Sequence, residues 1–127
     1  MNSITVAGNL AKDPELAYSA NGEPICKFSI GSKDKSTSDD VTWHNIVCFR
    51  GLAENVAGSL SKGNRIMVVG RLSKRNYEKK DGTQGQSVEI IANDIAASML
   101  FSTVEITKVN FNGKKESNVQ QTEEEPF

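Results

Sequence analysis

The chain has 127 residues, 37% of them hydrophobic and 24% charged, with a formal net charge of -1. That length closes one hydrophobic core rather than two, and the balance is that of an ordinary globular domain. No apolar run approaches the ~20 residues of a membrane helix, and MNSITVAGNL lacks the charged-then-apolar order of a secretion signal, so the expectation is a cytoplasmic protein without membrane contact. Alternation of apolar and polar positions recurs along the chain, the pattern of half-buried strands. Ile4, Val6, Gly8 and Leu10 share one face of a first strand, which ends at Asp13-Pro14. After the turn signal Asn21-Gly22, Cys26, Phe28 and Ile30 alternate with Ile25, Lys27 and Ser29 in a second strand, and KDKSTSDD reads as a loop. In the third strand, TWHNIVCFR, Trp43, Asn45, Val47 and Phe49 point one way and His44, Ile46, Cys48 and Arg50 the other. The period then lengthens. Leu52, Val56 and Leu60 recur every fourth residue beside Ala53 and Ala57, which predicts one short amphipathic helix after Gly51, with Gly63 as its C-cap. A fourth strand, NRIMVVGRLSKRNY, turns Ile66, Val68, Gly70 and Leu72 inward and Arg71, Ser73, Arg75 and Tyr77 outward. Asp81-Gly82 marks a hairpin tip before a fifth strand in SVEIIA, and FSTVEITKV is expected to add a further strand through Val104 and Ile106.

Three strands, one helix and two more strands predict a mainly β fold, a five-stranded Greek-key barrel of the OB type with one short helix, over residues 1–109. From residue 110 the composition shifts to Asn, Gly, Lys, Ser and Gln, so residues 110–127 are expected to form a disordered linker and an acidic tip. As a flexible coil that linker would reach on the order of 20 Å.

The near-neutral total hides an uneven distribution. Between Lys62 and Lys80 there are seven basic residues and one acid, Glu78, whereas TEEEPF closes the chain with three adjacent carboxylates. One segment is suited to a polyanion, and the other resembles one. Catalytic readings find little support. The single histidine, His44, sits among apolar neighbours in a strand, VVGRL has one glycine and does not open a helix, and Asp39-Asp40 lies in a polar loop. Cys26 and Cys48 lack C-x-x-C spacing and read as reduced core thiols, so neither a metal nor a cofactor is expected. Binding of a single-stranded nucleic acid requires cations along the phosphate path and flat aromatic faces for unpaired bases. Trp43 and Phe49 share a strand face, and Tyr77 ends the strand that bears Arg71 and Arg75. Pattern alone leaves open whether Trp43 and Phe49 are core residues instead, and whether the basic stretch is a solvated strand edge.

ITVAGNLAKDPEL from Ile4, TWHNIVCFRGLAENVAGSLSKGNRIMVVGRL from Thr42, Tyr77 after SKRN, and an acidic end closing on Pro-Phe resemble the bacterial single-stranded-DNA-binding protein family. The similarity covers residues 1 to about 108 and resumes at the last five, and DIAASMLFSTVEITK is more similar to the actinobacterial branch. The resemblance implies a non-enzymatic, sequence-independent binder of single-stranded DNA in replication, recombination and repair, nucleoid-associated and assembled as a homotetramer. It implies that Trp43, Phe49 and Tyr77 stack on bases and that His44 lies at a subunit contact. The cations expected along the phosphate path are Lys33, Lys35, Arg50, Arg71, Lys74, Arg75, Lys79 and Lys80. Glu123, Glu124, Glu125, Pro126 and Phe127 would recruit partner enzymes, a terminal carboxylate and ring being a known recognition element for chain ends. The chain departs from the family pattern in three places: SKDKSTSDD holds no aromatic, Ala17 stands where arginine is common, and Glu125 replaces an apolar residue before the proline. Two other readings remain open at this level, an OB barrel that serves as a protein-assembly module with its aromatics turned inward, and a binder of single-stranded RNA.

Overall fold

A computed structural model describes residues 1–33 and 40–109. Residues 34–39 of the predicted loop, with Lys35, and the expected linker and tip with Glu123 to Phe127 lie outside the described residues. Six strands and one helix follow in the order β1 (Ile4–Leu10), β2 (Glu15–Tyr18), β3 (Pro24–Ser32), β4 (Thr42–Phe49), α1 (Arg50–Ser59), β5 (Arg65–Glu78) and β6 (Gln84–Ala97). The strand order is β1-β5-β6-β4-β3-β2, and a second pairing of β1 with β3 joins the first strand back onto the sheet. Five strands thereby close a barrel, and the short β2 lies outside it on β3. All pairings are antiparallel except β4 with β6, where Ile46 faces Ile90 and Val47 faces Ile91 in parallel. This is the closed, mainly β barrel with one helix that the alternation predicts.

Period-2 alternation fills the interior. Cys26, Phe28 and Ile30 from β3, Ile46 and Cys48 from β4, Ile66 and Val68 from β5, and Ile90 and Ala92 from β6 form one buried cluster with Leu10. Each large aliphatic side chain removed from water in this way contributes about 1.5–3 kcal/mol. Ala53 and Val56 of α1 belong to the same cluster, with Leu52, Ala57 and Leu60 packed against it. Cys26 and Cys48 stand directly opposite each other across β3 and β4, both buried and both free thiols.

The seam between β1 and β3 is short, with only Asn9 opposite Gly31 and Leu10 opposite Ile30. Gly8 makes the approach possible, since a Cβ there would stand 2.3 Å from the Gly31 carbonyl oxygen.

Several expectations are corrected. β2 is an unforeseen strand; its four residues are all exposed, so it carries no alternation to read. The helix ends at Ser59 with Leu60 as its C-cap in extended conformation, and Gly63 serves the following turn at φ +90°. Arg50 does not continue the inner face of β4. It takes φ 60°, a left-handed conformation that costs a non-glycine residue about 1–2 kcal/mol, and turns the chain from β4 into α1 with its side chain exposed. Leu72 is 42% exposed: it stands opposite the buried Ile90, but β1 pairs with β5 only as far as Gly70 and leaves Leu72 beyond its end. Val47 is buried although it lies on the outward face of β4. FSTVEITKV forms no strand beyond an isolated bridge at Val109, and Val104 and Ile106 remain exposed.

Candidate nucleic-acid interface

The outward face of β4 carries Trp43, Asn45, Val47 and Phe49, and registry extends each into a row across the sheet. The first row runs Ala17, Ile25, Phe49. The second runs Glu15, Lys27, Val47, Ile91, Arg71 over five strands. The third crosses the seam: Trp43 faces Gly31, Gly31 faces Asn9, and Asn9 faces Arg65. At the far end of the ribbon Tyr77 faces Gly85. Trp43, Phe49 and Tyr77 are 61%, 39% and 47% exposed, so none of the three turns into the core. Trp43 and Phe49 are six positions apart on one strand, about 20 Å at the rise of a β-strand.

Two of these aromatics rest on glycines. A Cβ on Gly31 would stand 2.9 Å from Cζ3 of Trp43, and one on Gly85 would stand 2.6 Å from Cζ of Tyr77. Each ring fills the space that a side chain across the strand would need and keeps its other side toward solvent. The aliphatic end of Lys79 shares the second platform, its Cε 2.9 Å from the same built atom on Gly85.

The expected cations divide. Arg71 and Arg75 lie on the Tyr77 face of the ribbon, whereas Lys74 lies on the reverse face opposite Val88. Arg75 lies 4.0 Å from the half-buried Glu89, and Arg50 pairs with Glu23 at 3.7 Å, an exposed and therefore weak ion pair. Lys80 is exposed in the turn at the ribbon tip. Lys33 is exposed beside Trp43. His44 lies off this face, half-buried, with Nε2 3.1 Å from Ser32 Oγ. Sequence reasoning counted Arg65 in the basic stretch but not as a contact; only the register across the seam brings it into the Trp43 row.

Three grooves stand out among the described residues. One between the first and third rows is lined by Lys12 and Lys27 but also by Asp13, Glu15 and Glu89. A second passes Trp43 and is lined by Lys33 and Arg65, with no carboxylate among its described residues. A third, between β2, α1 and the segment after β6, carries Glu54 and Glu105 and no cation among its described residues. Of these three grooves, the one beside Trp43 joins an exposed aromatic to a described lining that holds cations and no carboxylate. Among the described residues no cluster of His, Cys, Asp and Glu is placed to hold a metal ion.

A family model described as the single-strand binding protein family matches residues 1–98. The chain belongs to the single-strand binding protein family. Similar family members include the single-stranded DNA-binding protein of Paenarthrobacter nicotinovorans, 34% identical over 121 residues, covering 89% of this chain and 71% of that protein. Single-stranded DNA-binding protein 2 of Streptomyces coelicolor is 35% identical over 122 residues, covering 87% of this chain and 60% of the relative. The single-stranded DNA-binding protein of Neisseria meningitidis serogroup B is 34% identical over 101 residues, covering 75% of this chain and 58% of the relative. The two higher-coverage family members are actinobacterial, in line with the branch suggested by DIAASMLFSTVEITK. The family match ends at Asp94-Ile95-Ala96-Ala97-Ser98, where β6 ends, so the whole barrel lies within it.

Proposed function

We propose that this protein binds single-stranded DNA without sequence preference and protects strands opened in replication, recombination and repair. The observation that carries the reading is the exposure of Trp43 and Phe49 on one face of β4 in a barrel of this family. Unpaired bases stack on these rings and on Tyr77, a contact tolerant of sequence because every base has a π face. Arg71, Arg75 and Lys79 beside Tyr77, together with Lys33, Lys35, Arg50, Lys74 and Lys80, neutralise phosphates. Titration with oligo-dT followed by the fluorescence of the single tryptophan tests this directly. Quenching on binding is expected, with log affinity falling against log salt at about -0.7 per phosphate contact. Trp43→Ala should cost about 1–3 kcal/mol of binding free energy. Affinity that ignores salt, or an indole that is not quenched, would sink the reading.

Residues 1–109 act as the DNA-binding unit in this reading and residues 110–127 as tether and tip. Glu123, Glu124, Glu125, Pro126 and Phe127 offer partner enzymes a carboxylate-rich end with one ring, suited to a basic pocket with an apolar slot. Deleting the last five residues should abolish capture of such enzymes and leave oligo-dT affinity unchanged or slightly higher; a clear loss of DNA affinity would refute that division of labour. The unit assembles as a homotetramer, with His44 near a subunit contact. Two surfaces support assembly: the edge of β1 from Ile4 to Ala7, which has no partner strand on its β3 side among the described residues, and the exposed Met67 and Val69 on the outer face of β5. Sedimentation at micromolar concentration checks it, and a monomer would overturn it. Its site of action is the cytoplasm, on nucleoid DNA.

A further inference from the structure

We infer that the groove beside Trp43 is a nucleotide subsite whose second wall is Phe101 and whose phosphate contact is Arg65. The inference rests on the single-stranded DNA reading above and adds residues which that reading does not assign. Phe101 is 82% exposed and follows two further exposed apolar residues, Met99 and Leu100. Such a run on a surface calls for an occupant. Its position is fixed by the end of β6: the amide of Ser98 donates to the carbonyl of Arg65 at 2.9 Å, and the amide of Leu100 donates to Ser98 Oγ at 3.3 Å. The chain leaving β6 is thereby held against the start of β5, and Leu100 and Phe101 line the same groove as Trp43, Lys33 and Arg65.

The floor is the row Trp43, Gly31, Asn9, Arg65, and it is shallow in the middle. Gly31 has no side chain, and the Asn9 amide is turned aside to the carbonyl of Gly63 at 3.0 Å. An aromatic on each side and a guanidinium at one end match a base with its phosphate. Charge selects this occupant over an acidic or apolar partner surface, since the described lining holds two cations and no carboxylate whereas both other grooves contain acids.

The test uses the full chain, with oligo-dT binding read by anisotropy of an end label and sedimentation run in parallel. Phe101→Ala should weaken binding about tenfold, with an unchanged sedimentation coefficient, as loss of one stacked base requires. Phe101→Trp in a Trp43→Phe background should place the only indole at position 101, quenched by oligo-dT. Arg65→Gln should flatten the salt slope by about 0.7. Wild-type affinity in Phe101→Ala, or a weakening accompanied by altered sedimentation, would overturn the inference, the latter placing Phe101 between copies of the chain. If the unaltered protein fails to bind oligo-dT, the broader reading falls; if it binds and these variants match it, only the subsite does.

Discussion

Trp43 and Tyr77 rest on the glycines opposite them across the sheet, Gly31 and Gly85. A large ring on a strand surface normally packs against its cross-strand neighbour, and glycine opposite lets it settle over backbone instead, which restrains it and covers the glycine. Gly31 and Gly85 are therefore part of the proposed stacking sites as much as the rings above them. Gly85→Val would fill the space now held by Tyr77, whose Cζ lies 2.6 Å from the position of the new Cβ. The substitution should weaken oligo-dT binding by about as much as Tyr77→Ala, roughly 1–3 kcal/mol. Because both changes act on one platform, the double variant should bind no worse than either single one. Additive losses in equilibrium titration would show that Gly85 does not act through the ring.

At the scale of elements, what could be read in advance follows from how each element is stabilised. β1, β3 and β4 each bury one face, so period 2 is written into them and their inward and outward sets are legible, including Trp43 and Phe49 on a shared face. β2 buries nothing and exists only as a partner for β3 beyond the Asn21-Gly22 turn, where Ser19 Oγ accepts from the amides of Asn21 and Glu23. A strand held by backbone pairing alone leaves no mark in side-chain pattern. The opposite error occurs at Val104 and Ile106, which alternate but stay exposed and join no ladder among the described residues. Leu72 continues the inward series of β5 by count, yet β1 has ended by then, and period reports a face without reporting what covers it. The Trp43 row was illegible for a different reason. It joins residues 9, 31, 43 and 65 through two ladders and a seam, and no local window spans them.

For the whole molecule, Cys26 and Cys48 place two titratable thiols in the centre of the barrel. Burial pushes both thiols up, Cys48 to about 12, raised further by Cys26 beside it. In the unfolded chain a thiol ionises near 8.5. Between those values the unfolded state has released protons that the folded state still holds, so stability falls as pH rises. The stabilisation from neutral thiols is complete below about pH 8.5 and is lost progressively up to the folded value. Urea midpoints should therefore drop between pH 8 and pH 11, and Cys48→Ala, less stable at neutral pH, should show a shallower drop over the same range. Parallel curves would assign the alkaline loss to other groups. The separation of Trp43 and Phe49 has a kinetic corollary for bound DNA. Paired strands advance about 3.4 Å per nucleotide, so the two rings, about 20 Å apart on a stiff strand, stand some six duplex steps from one another. A strand seated on both has its bases turned to protein in place of one another, and a complementary strand cannot zip through that stretch while both rings are occupied. In the proposed stacking mode, annealing must wait for a ring to be vacated, and the residence time of bases on β4 would govern how long an opened strand stays open.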